Sequence, residues 1–195
     1  MPIIIGLIRP LSFVITILLR IGRNIAWVAM GLMVLIIALQ VVMRYVANNA
    51  LPWPDEAARF LMLWMTALIA PSAYRWGGFV SIDMLKDMLP RSLGLLLGII
   101  LLGISLSVLL VGLQLGLKHV ASGWLFASSS LKLPLNWIGM EVVRIKLAWM
   151  YMSLPFGIAV MILVNIELIL KSVVRLFDPE ADLPPDPDHV VVSAE

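Results

Sequence analysis

Residues 93–117 form about twenty-five consecutive positions without an Asp, Glu, Lys or Arg. At about 1.5 Å of rise per residue, a helix of that length exceeds the roughly 30 Å hydrocarbon thickness of a bilayer. In lipid every backbone polar group must be satisfied inside the protein, which favours a helix for such a run. The chain is therefore read as a membrane protein, and composition agrees. Of its 195 residues 62% are hydrophobic and 13% charged, against roughly 25% charged in soluble domains. Three weaker spans accompany the strong one. Residues 25–43 carry no charge; 56–75 contains an uncharged stretch between Arg59 and Arg75, with Pro71 near its end; 147–170 holds Pro155 in its first half and Glu167 close to its end. The expected fold is an all-α integral membrane protein with four transmembrane helices, short interfacial helices and a disordered acidic C-terminal tail. Residues 1–177 form one transmembrane domain in this reading, and 178–195 the tail.

The segments between spans are less apolar and more punctuated. Residues 10–19 are only about ten apolar positions between Arg9 and the Arg20/Arg23 pair, short for a crossing, and read as an interfacial helix or an extension of the first span. The N-terminal stretch lacks the cationic start and small-residue cleavage site of a signal peptide, so it is expected to be retained. The connection 118–146 contains Gly123, the run Ser128-Ser129-Ser130 and Pro134 as breakers, Trp124 and Trp137 as headgroup-level anchors, and room for a short surface helix at 137–146. In 178–195, four prolines stand among six acids, a composition that cannot bury enough apolar surface to fold alone.

Removing that tail leaves 14 Lys and Arg against six acids. A basic membrane body suits the anionic headgroups of membrane lipids and gives no reason to invoke nucleic acid. Placing both termini in the cytoplasm puts eight cations inside and six outside, the direction that the positive-inside tendency favours. With no cysteine there is no disulfide or thiol chemistry, and His119 and His189 are too few and too far apart for a metal cluster. Neither His-Glu-x-x-His nor Gly-x-Ser-x-Gly occurs, so no catalytic residue, metal or cofactor is expected. A membrane-embedded enzyme is a poor reading. A free-standing channel lacks the midplane ionisable residues that would line an ion path.

Within the spans, Gly94-x-x-x-Gly98 and Gly112-x-x-x-Gly116 can admit a close helix, either from this chain or from a partner. Glu167 and Lys171 are one turn apart and read as a snorkelling salt bridge in preference to a proton relay. Gln40, Gln114 and Asn165 are expected to bond to neighbouring helices.

The stretch 44–83 is the most informative. Leu51-Pro52-Trp53-Pro54 is a rigid turn with an interfacial tryptophan, and Asp55 and Glu56 fall in the first turn of the second span, where acids complement the helix dipole. Arg59 is placed to pair with either acid, and Arg44 to reach them across the turn. This favours a charge network that fixes the helical hairpin, with ligand contact as the alternative. Arg44-Tyr45, Asn48, Leu51, Trp53, Asp55-Glu56, Arg59, Trp64, Ala73, Arg75 and Ile82-Asp83, followed by Leu85, Leu89-Pro90 and the later Leu154-Pro155-Phe156-Gly157, together resemble the small membrane subunit (DctQ type) of tripartite ATP-independent periplasmic (TRAP) transporters. Three elements depart from that pattern: Asp55-Glu56 stands for two glutamates, Ala70-Pro71 for Gly-Ala, and Phe79 for a histidine.

The resemblance implies a non-catalytic small permease subunit of the bacterial inner membrane. It would act as a scaffold for the large TRAP membrane subunit and help dock a periplasmic substrate-binding protein during sodium-coupled uptake of an organic acid. The positions carried over as candidate subunit-interface or docking residues are Arg44, Asn48, Trp53, Asp55, Glu56, Arg59 and Asp83. An accessory subunit of another membrane complex is the alternative.

Overall fold

The computed structural model describes residues 2–76, 90–133 and 143–177. Asp83, the segment around it and the acidic tail lie outside the described residues. Seven elements follow one another: α1 Pro2–Tyr45, α2 Pro54–Arg75, α3 Arg91–Gly123, β1 Ala127–Leu133, β2 Val143–Lys146, α4 Leu147–Tyr151 and α5 Ser153–Phe177. Four stretches are long and apolar enough to cross a membrane, namely Ile8–Tyr45, Pro54–Arg75, Leu93–Gly123 and Leu147–Phe177, the last being α4 and α5 taken together. Because the helices alternate in direction, the α1–α2 turn, the β-hairpin and the start of α4 gather at one end of the bundle. The beginnings of α1 and α3 and the ends of α2 and α5 gather at the other.

Residues 10–19 extend the first helix; they do not form a separate surface helix. Pro10 is tolerated because the hydrogen bond that it deletes lies close to the free start of α1. Ile8, Ser12, Ile15, Leu19, Gly22 and Ala26 are buried, a stripe at three- and four-residue spacing. It packs on α2 and α5, where Ile15 and Leu19 join Tyr74, Val160 and Val164 in the core. No position from 27 to 45 is buried, and Trp27, Val28 and Leu35 point outward. A half-buried stripe at the same spacing, Ala29, Met33, Ile36, Gln40 and Met43, continues beyond Ala26, so the first helix is tightly packed over its first half and more loosely packed along the same face over its second.

The fourth span is organised by Leu154-Pro155-Phe156-Gly157. Pro155 has no N–H to offer the Tyr151 carbonyl, so the helix is interrupted at Met152, between α4 and α5. Ser153 Oγ donates to the Met150 carbonyl at 2.8 Å and compensates part of the loss. Pro155, Phe156 and Gly157 then join the span to α3 and α2. Pro155 lies against Gly116 of α3, Phe156 stacks on Trp64 of α2 at 5.8 Å, and Gly157 touches the backbone of α2 at Ala67. Gly112 faces Ile158, so the second glycine pair of α3 serves packing within the chain.

The strands form an antiparallel pair with Lys132 opposite Arg144 and Leu133 opposite Val143, and a register irregularity before reaching Ala127 opposite Lys146. The expected surface helix over 137–146 is not formed at its described end: Val143–Lys146 is a strand. The reason is visible in the residues. Val143 and Ile145 alternate with Arg144 and Lys146, a two-residue period with β-branched residues on one face.

A Cβ on Gly157 would lie 3.0 Å from both the Cα and the carbonyl oxygen of Ala67, which are backbone atoms and cannot yield alone. Gly157→Leu is expected to destabilise the fold by about 1–3 kcal/mol or more, read as a lowered melting temperature in detergent. Gly103→Leu, where nothing lies within 4 Å, should leave it unchanged. Equal melting of the two variants would contradict the close packing of α2 on α5.

Candidate functional site

At the hairpin end, α2 starts with Pro54, whose fixed φ suits a first helical position. Trp53 caps it without a side-chain hydrogen bond, and the Ala57 N–H donates to the Trp53 carbonyl at 3.0 Å. This start presents Asp55 and Glu56 on the first turn. Asp55 is exposed, whereas Glu56 is half-buried and aimed at β1. Ser129 Oγ donates to Glu56 Oε1 at 3.0 Å. Four donors converge on Oε2: the Ser128 hydroxyl, the Ser130 hydroxyl at 2.6 Å, and the backbone N–H groups of Ser130 and Leu131 at 3.1 and 3.2 Å. Leu131 N–H also bonds Ser128 Oγ at 2.8 Å. The carboxylate thus occupies a nest of hydroxyl and amide donors and pins the hairpin to α2.

The expected pairing of Glu56 with Arg59 is not seen. Charge-assisted bonds to fixed backbone donors are stronger than an exposed pair within a helix, worth a few tenths of a kcal/mol. Arg44, Asp55 and Arg59 are all exposed, and among the described residues no ion pair joins them. Asn48 has φ 48°, the left-handed region that asparagine tolerates better than most residues. The N–H of its neighbour Asn49 returns to the Met43 carbonyl at 2.9 Å, closing the end of α1. Asn48 therefore shapes the turn that Arg44, Trp53 and Asp55 flank.

Aromatic side chains ring this end. Trp64 Nε1 donates to the Trp149 carbonyl at 3.1 Å, Trp124 and Trp149 meet edge to face at 6.3 Å, and His119 lies 4.3 Å from Tyr151. Beneath the hairpin is a pocket of about 210 Å³ whose walls include Glu56, Arg59, Phe60, Lys146, Met150 and Tyr151.

A second polar cluster sits at the opposite end. Glu167 of α5 is completely buried, and its Oε1 accepts from Arg75 Nη2 at 2.7 Å and Lys171 Nζ at 2.9 Å. Arg75 Nη1 donates to Thr16 Oγ1 at 2.8 Å, and its Nη2 also to Ser12 Oγ at 3.0 Å. Beside them the Asn165 amide donates to the Tyr74 hydroxyl. The Glu167–Lys171 pair read from the sequence is present, but it does not snorkel: both side chains are buried, and Arg75 turns inward to join them. Arg23 lies over the Trp76 ring at 5.2 Å and reaches Ser72.

Arg75, Ser12, Thr16 and the three serines were not among the residues singled out as a site. Arg75 and Glu167 close spans that end on the same side, which was an available signal; the serine run carried none beyond breaking a helix. Among the described residues no group of three His, Cys, Asp or Glu could hold a metal ion. Both partnered carboxylates, Glu56 and Glu167, serve to join elements.

The family model for the DctQ component of tripartite ATP-independent periplasmic transporters matches residues 33–175. The chain belongs to this family. A search of curated proteins finds no match. The match makes this chain a small permease component of a TRAP transporter, and it runs from the second half of α1 through the hairpin to the last turns of α5. Within this DctQ fold, Glu56 and the Pro155–Gly157 element have defined packing roles.

Glu56→Ala should free the hairpin. Loss of several charge-assisted bonds, each contributing about 1.5–3 kcal/mol, is expected to speed amide exchange at Ser130 and Leu131 at least about tenfold, with Glu56→Gln intermediate. Unchanged exchange would remove Glu56 as the clamp. At the other end, Glu167→Leu removes the carboxylate that the buried Arg75 and Lys171 share, at a cost of about 3–5 kcal/mol. The combined variant Arg75→Met/Glu167→Leu/Lys171→Met should melt well above Glu167→Leu alone, because the two buried cations are removed together with that carboxylate. A triple variant no more stable than the single one would refute the charge-balance account.

Proposed function

We propose that this DctQ component is the non-catalytic scaffold of its transporter. It packs on the large TRAP membrane subunit and offers the hairpin end as part of the docking surface for a periplasmic substrate-binding protein, during sodium-coupled uptake of an organic acid. The supporting observation is the clamp on Glu56: a two-stranded hairpin tied by five donors to the head of a membrane helix is a fixed polar platform, which a docking protein needs. Arg44, Trp53 and Asp55 border it with exposed charge and an interfacial ring, and Asn48 sets the turn that carries them.

The lipid-facing requirements of a scaffold are met as well. The outer surfaces of α3 and of the second half of α1 are apolar, and the charged side chains of the Glu167 cluster are turned inward. The protein resides in the bacterial inner membrane in this reading, with both termini cytoplasmic and the hairpin periplasmic, consistent with the excess of cations on the terminal side. Substrate and sodium are held by the large subunit, and recognition of the organic acid by the soluble protein.

Purification from native membranes in mild detergent should bring down a much larger membrane protein with this chain. Asp55→Lys, which changes exposed charge without touching the Glu56 clamp, should weaken association of the binding protein with the assembled membrane complex severalfold and make it more salt-sensitive. A chain that purifies alone and moves solute in liposomes by itself would overturn the scaffold reading. Unaltered association in Asp55→Lys would remove that residue from the docking surface.

A further inference from the structure

The pocket beneath the hairpin combines three properties that the docking reading does not use. Its two cations, Arg59 and Lys146, outnumber the one carboxylate beside them. Glu56 directs both carboxylate oxygens into the serine nest, accepting five hydrogen bonds there and making no ion pair with either cation, whereas Arg59 and Lys146 remain exposed. Lys146 Nζ touches only the Trp124 carbonyl, at 3.3 Å, among the described residues. The remaining walls are mostly apolar, with Phe60, Leu147 and Met150 leading from the cations along α2 and α4. Tyr151 lines it, Trp64, Trp124 and Trp149 lie at the same end of the bundle, and such rings concentrate at headgroup depth. The volume of about 210 Å³ is too small for a drug-sized ligand, which takes about 300–1,000 Å³.

We propose that this pocket seats the phosphate of an anionic phospholipid, with Arg59 and Lys146 on the headgroup and the acyl chains running down the apolar wall of α2 and α4. The charge favours an anion, the depth places it at the membrane surface, and the apolar exit suits a tailed ligand over a free ion. Arg59, whose helical neighbour Glu56 is committed elsewhere, thereby acquires a role separate from the docking rim. The inference goes beyond the scaffold reading and does not depend on it, since it can be measured on the chain alone.

The experiment is native mass spectrometry of the full chain released from mild detergent after incubation with phosphatidylglycerol or phosphatidylcholine. Wild-type protein should retain phosphatidylglycerol preferentially. Each cation near a membrane surface contributes about fivefold in affinity for anionic lipid, so Arg59→Gln/Lys146→Gln should lower that retention roughly tenfold or more. Lys118→Gln, exposed on α3 and outside the pocket, should not. The charge-preserving pair Arg59→Lys/Lys146→Arg should retain lipid, which separates loss of charge from loss of fold. Inorganic phosphate should fail to displace the lipid. Equal retention of the two lipids by wild type, undiminished retention by the double Gln variant, or displacement by millimolar phosphate would each overturn the proposal. So would a double variant that keeps its lipid and loses only an acidic partner protein, which would reassign the pocket to docking.

Discussion

The bundle rests on one carboxylate. Glu167 is wholly removed from solvent and bonds two cations from two different helices, and the more distant of these, Arg75, carries the contact onward to Ser12 and Thr16 of a third. In a membrane interior an unpaired charge is among the costliest groups a protein can hold, and nearby lipid offers no polar substitute. The pairing therefore does more than add attraction. It penalises arrangements of α1, α2 and α5 that separate the three side chains, and so fixes rotation and register at that end. The stripe from Ile8 to Ala26 is buried in the same register that lets Ser12 and Thr16 meet Arg75.

From that fixed corner the rest follows by contact. With α5 held against α2, Gly157 comes to the Ala67 backbone and Phe156 to Trp64, and Pro155 is left facing α3, where Gly116 makes room for it. The break at Met152 turns the start of the fourth span so that Leu147 N–H can reach the Phe126 carbonyl at 3.2 Å, joining the hairpin to the bundle. Glu56 completes the closure from the α2 side. Each end of the bundle is thus locked by one acid. The difference is chemical: Glu167 balances buried cations, and Glu56 satisfies backbone and hydroxyl donors.

Much of this was legible in the residues, and the illegible part has a common cause. The four spans follow from runs without charge, which need no tertiary knowledge. Glu167 with Lys171 is visible because both lie on one helix, one turn apart. Arg75 is not, because its partnership depends on which helix ends meet in space. The serine run was read as a breaker, since hydroxyl donors in sequence do not announce their acceptor, and Arg59 at helical spacing from Glu56 offered a closer but weaker partner. The strand at Val143–Lys146 was legible in its alternation and was outweighed by the helical surroundings. The docking candidates divide likewise: Asn48 reads as a polar loop residue, while its positive φ gives it a backbone role that only coordinates reveal.

The divided first helix bears on why such a chain is built this way. Its 44 residues would extend about 66 Å, roughly twice the hydrocarbon thickness, yet only the first half has a fully buried face, the second being half-buried along it. Association in lipid gains little from burying apolar surface as such, because hydrocarbon tails solvate it equally well, and rests on close van der Waals fit and hydrogen bonds. A subunit meant to be joined in the membrane must therefore hold its own fold by polar locks that do not compete with the partner's surface. Both locks here obey that rule. The Glu167 cluster faces inward and the Glu56 nest lies at the hairpin, which leaves the outer face of α1 beyond Ala26, with Trp27, Val28 and Leu35, open to lipid or to a companion helix of equal polarity.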